Sequence, residues 1–236
     1  MAKLVFDIET IGADYDSFDD TTKEVLTNWI RKTSSNDEEY QSKLGELKDG
    51  LGFSPLTGEI VAIGVLDADK NQGVVYYQAP KQNIKDFEEN GIRFKQMTEK
   101  EMLNHFWKGA LEYDEFITFN GRGFDVPFLV ARSAKYGIKP SKDLMSNRYS
   151  SMQKKNNLHI DLYDQLSYYG AVRKAGNLHL WTRHFGIDSP KAEGVKGEDV
   201  TALFNEGKCL DIAKYNVRDI RATKELYDKW SKYIKF

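Results

Sequence analysis

Three short segments of the chain carry acidic side chains at spacings that could support catalysis. In the first, Asp7 and Glu9 lie at the end of an apolar, strand-like run. Because side chains alternate along a β-strand, both carboxylates are expected on one face. Two carboxylates on one face of a buried strand repel each other unless a cation or a proton relieves them. The alternative is an exposed strand end that carries two solvated acids.

The second and third segments add two further acids and a tyrosine. Asp125 follows a predicted strand and opens a predicted helix, where it could also be a helix-capping aspartate. Tyr215 and Asp219 are four residues apart, so they share one face of a predicted helix that is otherwise apolar. An acid on an apolar face needs a partner, which could be Tyr215 or a neighbouring arginine, Arg218 or Arg221.

The three segments together are more specific than any one of them. They read D-I-E-T from residue 7, N-G-R-G-F-D-V-P-F-L from residue 120 and Y-N-V-R-D from residue 215. This combination resembles the DEDD superfamily of 3′–5′ exonucleases, and the tyrosine matches its tyrosine-containing subclass. The second segment is most similar to the proofreading exonuclease domain of family B DNA polymerases. No polymerase palm or fingers could fit in the remaining residues, so the resemblance implies a free-standing exonuclease-like protein.

The resemblance implies a site for two Mg²⁺ or Mn²⁺ ions, held by Asp7, Glu9, Asp125 and Asp219. Asp7 would bridge both ions, and Asp125 would hold the second ion beside the leaving group. Glu9 and Asp219 would complete the site of the attacking water, which Tyr215 would orient. Hard divalent cations take oxygen ligands, and two ions ~3.5–4 Å apart can stabilise both the attacking and the leaving oxygen of a phosphodiester.

Neighbours of these motifs could contact a nucleic acid. The candidates are Thr10, Ile11, Asn120, Arg122 and Phe124, together with Lys191 and Lys196 in a basic, glycine-containing loop. Thr10 and Ile11 could offer backbone groups or an apolar wedge to the 3′ nucleotide. Asn120 and Arg122 could contact phosphate. Phe124 could stack on a base or belong to the core. The two lysines could also lie in an ordinary solvated loop.

Hydrophobic periodicity and turn residues predict the elements that must position these side chains. Strands are predicted over residues 3–8, 59–67, 73–78 and 115–119, with a short strand from His159, and helices after Thr98, around Pro127, over 178–185 and over 210–234. Strands first and helices later, with one more strand between them, predict an α/β protein whose mixed sheet is flanked by helices. This is the order of a ribonuclease-H-like fold.

Residues 11–57 interrupt this pattern. They are acidic and polar, with helical stretches near 21–32 and 37–48. Because about 45 residues are few for an independent core, we interpret the segment as an insertion within a single domain that spans residues 1–236. The insertion could bind a partner protein or form a lid over the active site.

The composition is that of a globular protein with near-neutral charge. The chain has 236 residues, of which 40% are hydrophobic and 30% charged, and its net charge is −2. Cys209 is the single cysteine, which excludes an intrachain disulfide scaffold. The apolar runs are too short for a signal peptide or a membrane-spanning helix, so we expect a cytoplasmic protein with no membrane partner.

Charge is unevenly distributed along the chain. Residues 1–130 carry 14 basic and 24 acidic side chains, whereas residues 131–236 carry 20 basic and 12 acidic ones. The second half could face a polyanion, or the difference could reflect uneven solvated faces. The near-neutral total disfavours tight non-specific binding to a duplex, because that term scales with the phosphates neutralised.

These observations predict a metal-dependent 3′–5′ exonuclease that acts on single-stranded DNA or frayed 3′ ends. A single strand is expected because the 3′ end must be splayed into a pocket of carboxylates. An RNA 3′-end trimming exonuclease is the first alternative, which the motifs do not exclude. A non-catalytic module of the same fold that binds nucleic acid or a protein is the second, and the presence of all four acids and the tyrosine argues against it.

Overall fold

A computed structural model describes residues 1–188 and 197–235 of the chain. Its strands are β1 (Lys3–Gly12), β2 (Gly58–Asp67), β3 (Gln72–Tyr77), β4 (Phe87–Glu89), β5 (Ile92–Gln96), β6 (Glu115–Thr118) and β7 (Leu158–Asp161). In this part of the chain they form one seven-stranded sheet in the order β4-β5-β3-β2-β1-β6-β7. Strand β1 pairs antiparallel with β2 and parallel with β6, so the sheet is mixed, as predicted.

Helices lie on both faces of this sheet, and two others belong to the segment between β1 and β2. They are α1 (Asp20–Thr33), α2 (Asp37–Gly50), α3 (Glu99–Ala110), α4 (Asp125–Lys135), α5 (Leu162–Leu166), α6 (Leu178–Phe185), α7 (Val200–Asn205) and α8 (Cys209–Tyr233). The architecture is the α/β, ribonuclease-H-like arrangement that the order of elements predicted. Across residues 1–188 and 197–235, we find no helix with the length and apolar character needed to cross a membrane.

Alternation along β1 distributes its side chains between two cores. Phe6 and Ile8 pack with residues of α3 and α4 on one face. Val5 packs with residues of α8 on the other face. Asp7 and Glu9 alternate with Phe6 and Ile8, so they lie on the α8 face. An interior strand of the sheet therefore presents both acids to the last helix.

The strands β4 and β5 and the short helix α7 were not predicted from the sequence. The turn between β4 and β5 is Asn90-Gly91, and both residues have positive φ, 51° and 78°. Asn-Gly is the preferred pair for a two-residue hairpin turn, so the sequence did contain a signal for this hairpin. The strands themselves are only three and five residues long, and such short segments carry too little periodicity to be recognised.

The segment between β1 and β2 contains the two predicted helices. Asp19 and Asn36 accept hydrogen bonds at 2.9 Å from the backbone N–H groups of Thr22 and Glu39, and so begin α1 and α2. A single turn of 3₁₀ helix, Leu51–Phe53, follows α2. The segment thus connects the end of β1 to the start of β2, its antiparallel neighbour in the sheet.

A buried ion pair joins the elements around β2. The Glu99 carboxylate at the start of α3 accepts hydrogen bonds from the Arg132 guanidinium of α4 at 2.7 and 2.6 Å. It also accepts one from the Ile60 backbone N–H at 2.8 Å and one from the Tyr136 hydroxyl at 2.8 Å. Both charged side chains are at most 6% exposed. This network fixes α4, which begins at Asp125, against the sheet.

We expect Arg132→Ala to reduce the free energy of unfolding by about 3–5 kcal/mol, because it leaves the Glu99 charge buried without its partner. Denaturant unfolding measures this change. Lys224→Ala removes a more exposed ion pair, with Asp228, and should cost no more than about 0.5 kcal/mol. Equal losses in the two variants would show that the buried pair does not tie α4 to the sheet.

Candidate active site

Three carboxylates from two elements converge on the α8 face of the sheet. Asp7 and Glu9 extend from β1 and Asp219 from α8, and each offers a ligand oxygen within 4.8 Å of the other two. Glu9 is 7% exposed and Asp219 is 9% exposed. A solvated strand end is therefore excluded for Glu9. The three acids form a compact, largely buried acidic cluster.

Asp125 lies beside this cluster rather than within it. It is the first residue of α4, after the helix-capping position of Phe124, and it is 3% exposed. Its Oδ1 accepts a hydrogen bond from the Ile8 backbone N–H at 3.0 Å, between the two acids of β1. Burial is the main cause that raises the pKa of Asp125 to about 7, and the negative charges of Asp161 and Asp219 add to it.

Burial and mutual repulsion also raise the pKa of both β1 acids. Burial contributes most for Asp7, followed by the charges of Asp125, Asp219 and Glu9. For Glu9 the cause after burial is the charge of Asp219. The ionised cluster is thus unfavourable unless a positive charge joins it. An all-oxygen set of buried carboxylates is the donor chemistry that suits Mg²⁺ or Mn²⁺, so these residues fit a divalent cation.

Tyr215 is positioned one helical turn before Asp219. Its side chain is 6% exposed. Burial raises its pKa far above the usual value, and the charges of Asp219, Glu9 and Asp7 raise it further, as does its hydrogen bond to Asp219. The phenol is therefore neutral, and its hydroxyl donates to the Asp219 carboxylate. The Tyr–Asp pairing left open by the sequence is present within the acidic cluster.

Asn216 is a part of the site that the sequence reasoning did not assign. Its side chain is completely buried, and its Nδ2 donates a hydrogen bond to Asp7 Oδ2 at 2.8 Å. Hydrogen bonding from Asn216 lowers the pKa of both Asp7 and Glu9 and partly opposes the effect of their repulsion. The amide lies over Gly64 of β2, where an added methyl group would overlap Asn216 Oδ1. The only sequence signal was its place inside the Y-N-V-R-D segment.

Comparison with known proteins identifies the family. Residues 57–234 match a family described as a predicted 3′–5′ exonuclease related to the exonuclease domain of PolB. The chain belongs to this family. The match contains Asp125, Tyr215 and Asp219, whereas Asp7 and Glu9 precede it and join the site through the geometry of β1. The resemblance noted from the three motifs is confirmed.

Individual relatives are DNA polymerases. The chain is 31% identical over 144 residues to a DNA polymerase of Thermococcus gorgonarius. The aligned region covers 55% of this chain and 18% of that protein. It is 33% identical over 147 residues to a DNA polymerase of Desulfurococcus sp. (strain Tok), with the same coverages. The chain thus spans less than a fifth of the length of these relatives.

A solved structure shares the fold. The family B DNA polymerase from the hyperthermophilic archaeon Pyrobaculum calidifontis superposes with a TM-score of 0.57 and 18% sequence identity. The superposition covers 98% of this chain and 24% of the polymerase chain. The sheet and its flanking helices therefore have the polymerase exonuclease arrangement.

The loop that leads into α4 is held by an acid that the sequence reasoning also missed. Asp161, at the end of β7, accepts hydrogen bonds from the backbone N–H groups of Asn120 at 2.8 Å and Arg122 at 2.9 Å. The Arg122 guanidinium donates to the carbonyls of Leu144 and Met145 at 3.1 and 3.2 Å. Asn120 and Arg122 thus have structural partners, and their contact with phosphate stays a prediction.

His159 has a structural role beside this loop. Its Nδ1–H donates to the Leu144 carbonyl at 3.0 Å, and its Nε2 accepts from the Thr118 hydroxyl at 2.8 Å. Burial is the main cause that lowers its pKa to about 4. A neutral imidazole therefore links β6 and β7 to the Leu144 segment.

The remaining substrate-contact candidates have different positions. Phe124 and Thr10 line a cleft next to Glu9, and the Thr10 hydroxyl donates to the Gly52 carbonyl at 2.7 Å. Ile11, by contrast, is 7% exposed and packs in the core on the α8 face, so its side chain is not an open wedge for a nucleotide. The loop with Lys191 and Lys196 lies outside the described residues.

We expect Asp7→Asn to raise the thermal stability of the metal-free protein, because it removes one charge from a self-repelling buried cluster. Adding Mn²⁺ should raise the melting temperature of the wild type, since a ligand that binds only the native state stabilises it. Mn²⁺ should raise the melting temperature of Asp7→Asn much less. Thermal unfolding in EDTA and in Mn²⁺ measures both effects. A variant less stable than the wild type in EDTA would contradict the repulsion.

We expect Asn216→Ala to weaken Mn²⁺ affinity by about 10- to 100-fold, the usual effect of removing a group that orients a metal ligand. Gly64→Ala should do the same, because its methyl group displaces the Asn216 amide. The double variant should bind Mn²⁺ no more weakly than Asn216→Ala alone. Titration calorimetry measures the affinities. Gly45→Ala is the control, since nothing lies within 4 Å of an added methyl group there.

Proposed function

We propose that this protein is a metal-dependent 3′–5′ exonuclease that removes nucleotides from single-stranded DNA or from frayed 3′ ends. The observation that carries the proposal is the convergence of Asp7, Glu9 and Asp219 within 4.8 Å, with Asp125 beside them, in a chain of this exonuclease family. The four acids would hold two Mg²⁺ or Mn²⁺ ions. Two such ions activate a water and stabilise the leaving oxygen of a phosphodiester.

The arrangement of the acids supports a different role for each as a metal ligand. Asp7 would be the ligand shared by two ions, since the charges of Asp125, Asp219 and Glu9 all act on it. Glu9 and Asp219 would complete the site on the side of the attacking water. Asp125 would hold the ion beside the leaving group, and its bond to the Ile8 N–H keeps its carboxylate directed at β1.

Tyr215 would position the attacking water rather than deprotonate it. Burial and the neighbouring carboxylates keep its phenol protonated by raising its pKa, so it is a hydrogen-bond donor at any physiological pH. Its hydroxyl donates to Asp219, which the proposal assigns to the ion on the side of the water. The proton of the attacking water would therefore be lost because of the bound ions, which lower the pKa of the water.

The proposed substrate is a DNA end rather than a duplex. The relatives are DNA polymerases, which favours DNA over RNA. The net charge of −2 provides little of the positive surface that tight duplex binding needs. Capture of a frayed 3′ end by the acidic cluster and its bound ions is compatible with this charge.

The test is a time course on a 5′-labelled single-stranded DNA oligonucleotide and its RNA twin, in Mg²⁺, in Mn²⁺ and in EDTA. We expect a metal-dependent ladder that shortens the DNA from its 3′ end. Asp7→Ala should lower the rate by roughly 10³-fold or more, since metal stabilisation of the transition state is worth several kcal/mol. Tyr215→Phe should lower it by up to about 100-fold through misplacement of the water.

The matched control is Glu225→Ala, which removes an exposed acid from the same helix α8 and should leave the rate unchanged. Faster shortening of the RNA twin would replace DNA by RNA as the substrate class. Equal activity of Asp7→Ala and the wild type would remove the acidic cluster from the reaction.

A further inference from the structure

The last turn of the insertion places an aromatic ring beside the acidic cluster. Phe53, in the 3₁₀ turn after α2, is 63% exposed. Its ring lies 6.5 Å from the ring of Phe124, with an angle of 61° between the two planes. Both rings line the cleft that also contains Glu9 and Thr10. Two aromatic side chains from distant parts of the sequence therefore border the site of the acids.

The backbone that carries Phe53 is tightly held. The Gly52 carbonyl accepts the Thr10 hydroxyl at 2.7 Å, and the Leu51 carbonyl accepts the Thr57 hydroxyl at 2.7 Å. A methyl group on Gly52 would lie 2.9 Å from the Gly12 nitrogen, so the turn packs directly on the end of β1. Leu51 is 4% exposed, whereas Phe53 projects into solvent. The exposed ring is thus carried by a well-anchored turn of the backbone.

The charges around the cleft indicate which part of a ligand the rings would meet. Asp49 lines the same cleft as Phe53 and Glu9. The adjoining cleft that Phe53 also borders is lined by Glu46 and by Lys48, and the Lys48 ammonium lies 3.9 Å from the Asp16 carboxylate, so acids outnumber cations along this side. Phosphate groups are repelled by carboxylates unless a cation intervenes. A nucleobase is neutral and flat, and bases stack on exposed aromatic rings without regard to sequence. The insertion side of the cleft therefore suits a base and not the backbone of a strand.

We propose that Phe53 and Phe124 form a two-ring platform for the base of the 3′-terminal nucleotide. This inference rests on the proposed function, and it assigns the insertion to the active site rather than to a partner protein. The platform holds the terminal base on the insertion side while its phosphodiester reaches the acids of β1 and α8. It favours ends whose terminal base is unpaired, because only such a base can leave its stack.

The test compares two single-stranded DNA oligonucleotides that differ only at the 3′ end, one with a normal terminal base and one with an abasic tetrahydrofuran residue. We expect the wild type to remove the base-bearing residue more efficiently. Phe53→Ala should lower kcat/KM for that end by roughly 5- to 100-fold, the range expected when an aromatic stacking partner is removed. The change should occur mainly in KM and should be under about twofold for the abasic end, which has no base to stack.

Two further variants separate stacking from folding. Phe53→Trp keeps an aromatic face and should retain the preference for the base-bearing end. Leu56→Ala removes an apolar side chain that is 86% exposed on the same loop and does not line the cleft, so it should not alter either rate. An equal effect of Phe53→Ala on both ends, or on neither, would overturn the platform.

A binding measurement keeps the two proposals distinct. Fluorescence anisotropy of 5′-labelled oligonucleotides in EDTA reports the affinity for each end without hydrolysis. The wild type should prefer the base-bearing end, and Phe53→Ala should lose that preference. If the wild type shows this preference but releases no nucleotide in Mg²⁺ or Mn²⁺, the proposed reaction fails and the platform stands. If it hydrolyses both ends equally and binds them equally, the reaction stands and the platform fails.

Discussion

Repulsion among buried carboxylates is the constraint on which the rest of this structure depends. Asp7, Glu9 and Asp219 share one small volume, and burial makes their charges costly. The protein alone offsets part of that cost with neutral donors: the Asn216 amide bonds Asp7, and the Tyr215 hydroxyl bonds Asp219. The residual negative charge is what a divalent cation would neutralise. Affinity for metal and instability of the metal-free site thus have the same electrostatic origin.

The surrounding elements act as supports that keep these acids in place. Strand β1 is an interior strand of the sheet, so its backbone is paired on both sides, with β2 and with β6. Helix α4 is anchored at its start by the Asp125 bond to β1, and further along by the buried Glu99–Arg132 pair. Asp161 holds the loop that precedes α4 through two backbone N–H groups. These buried polar side chains therefore orient the elements that carry the acids.

Local rules were enough to predict the parts of the site that depend on a single element. Strand alternation placed Asp7 and Glu9 on one face, and helical spacing placed Tyr215 beside Asp219. The role of Asn216 could not be predicted in this way, because it depends on α8 crossing β2 above Gly64. The 3₁₀ turn at Phe53 and the bonds of Asp161 likewise depend on contacts between elements that are distant in the sequence. The hairpin of β4 and β5 is local, and it was missed because its strands are only three and five residues long.

The long insertion after β1 has a consequence for how the protein folds. The two strands that flank β1 in the sheet begin at Gly58 and Glu115, so every ladder that holds β1 joins remote parts of the chain. Pairings of this kind require the closure of large loops, which slows their formation relative to local helices. Asp219 of α8 is 212 residues after Asp7 in the chain, so we expect these acids to meet later than the local helices form. We therefore expect the electrostatic cost of the acidic cluster to arise late in folding.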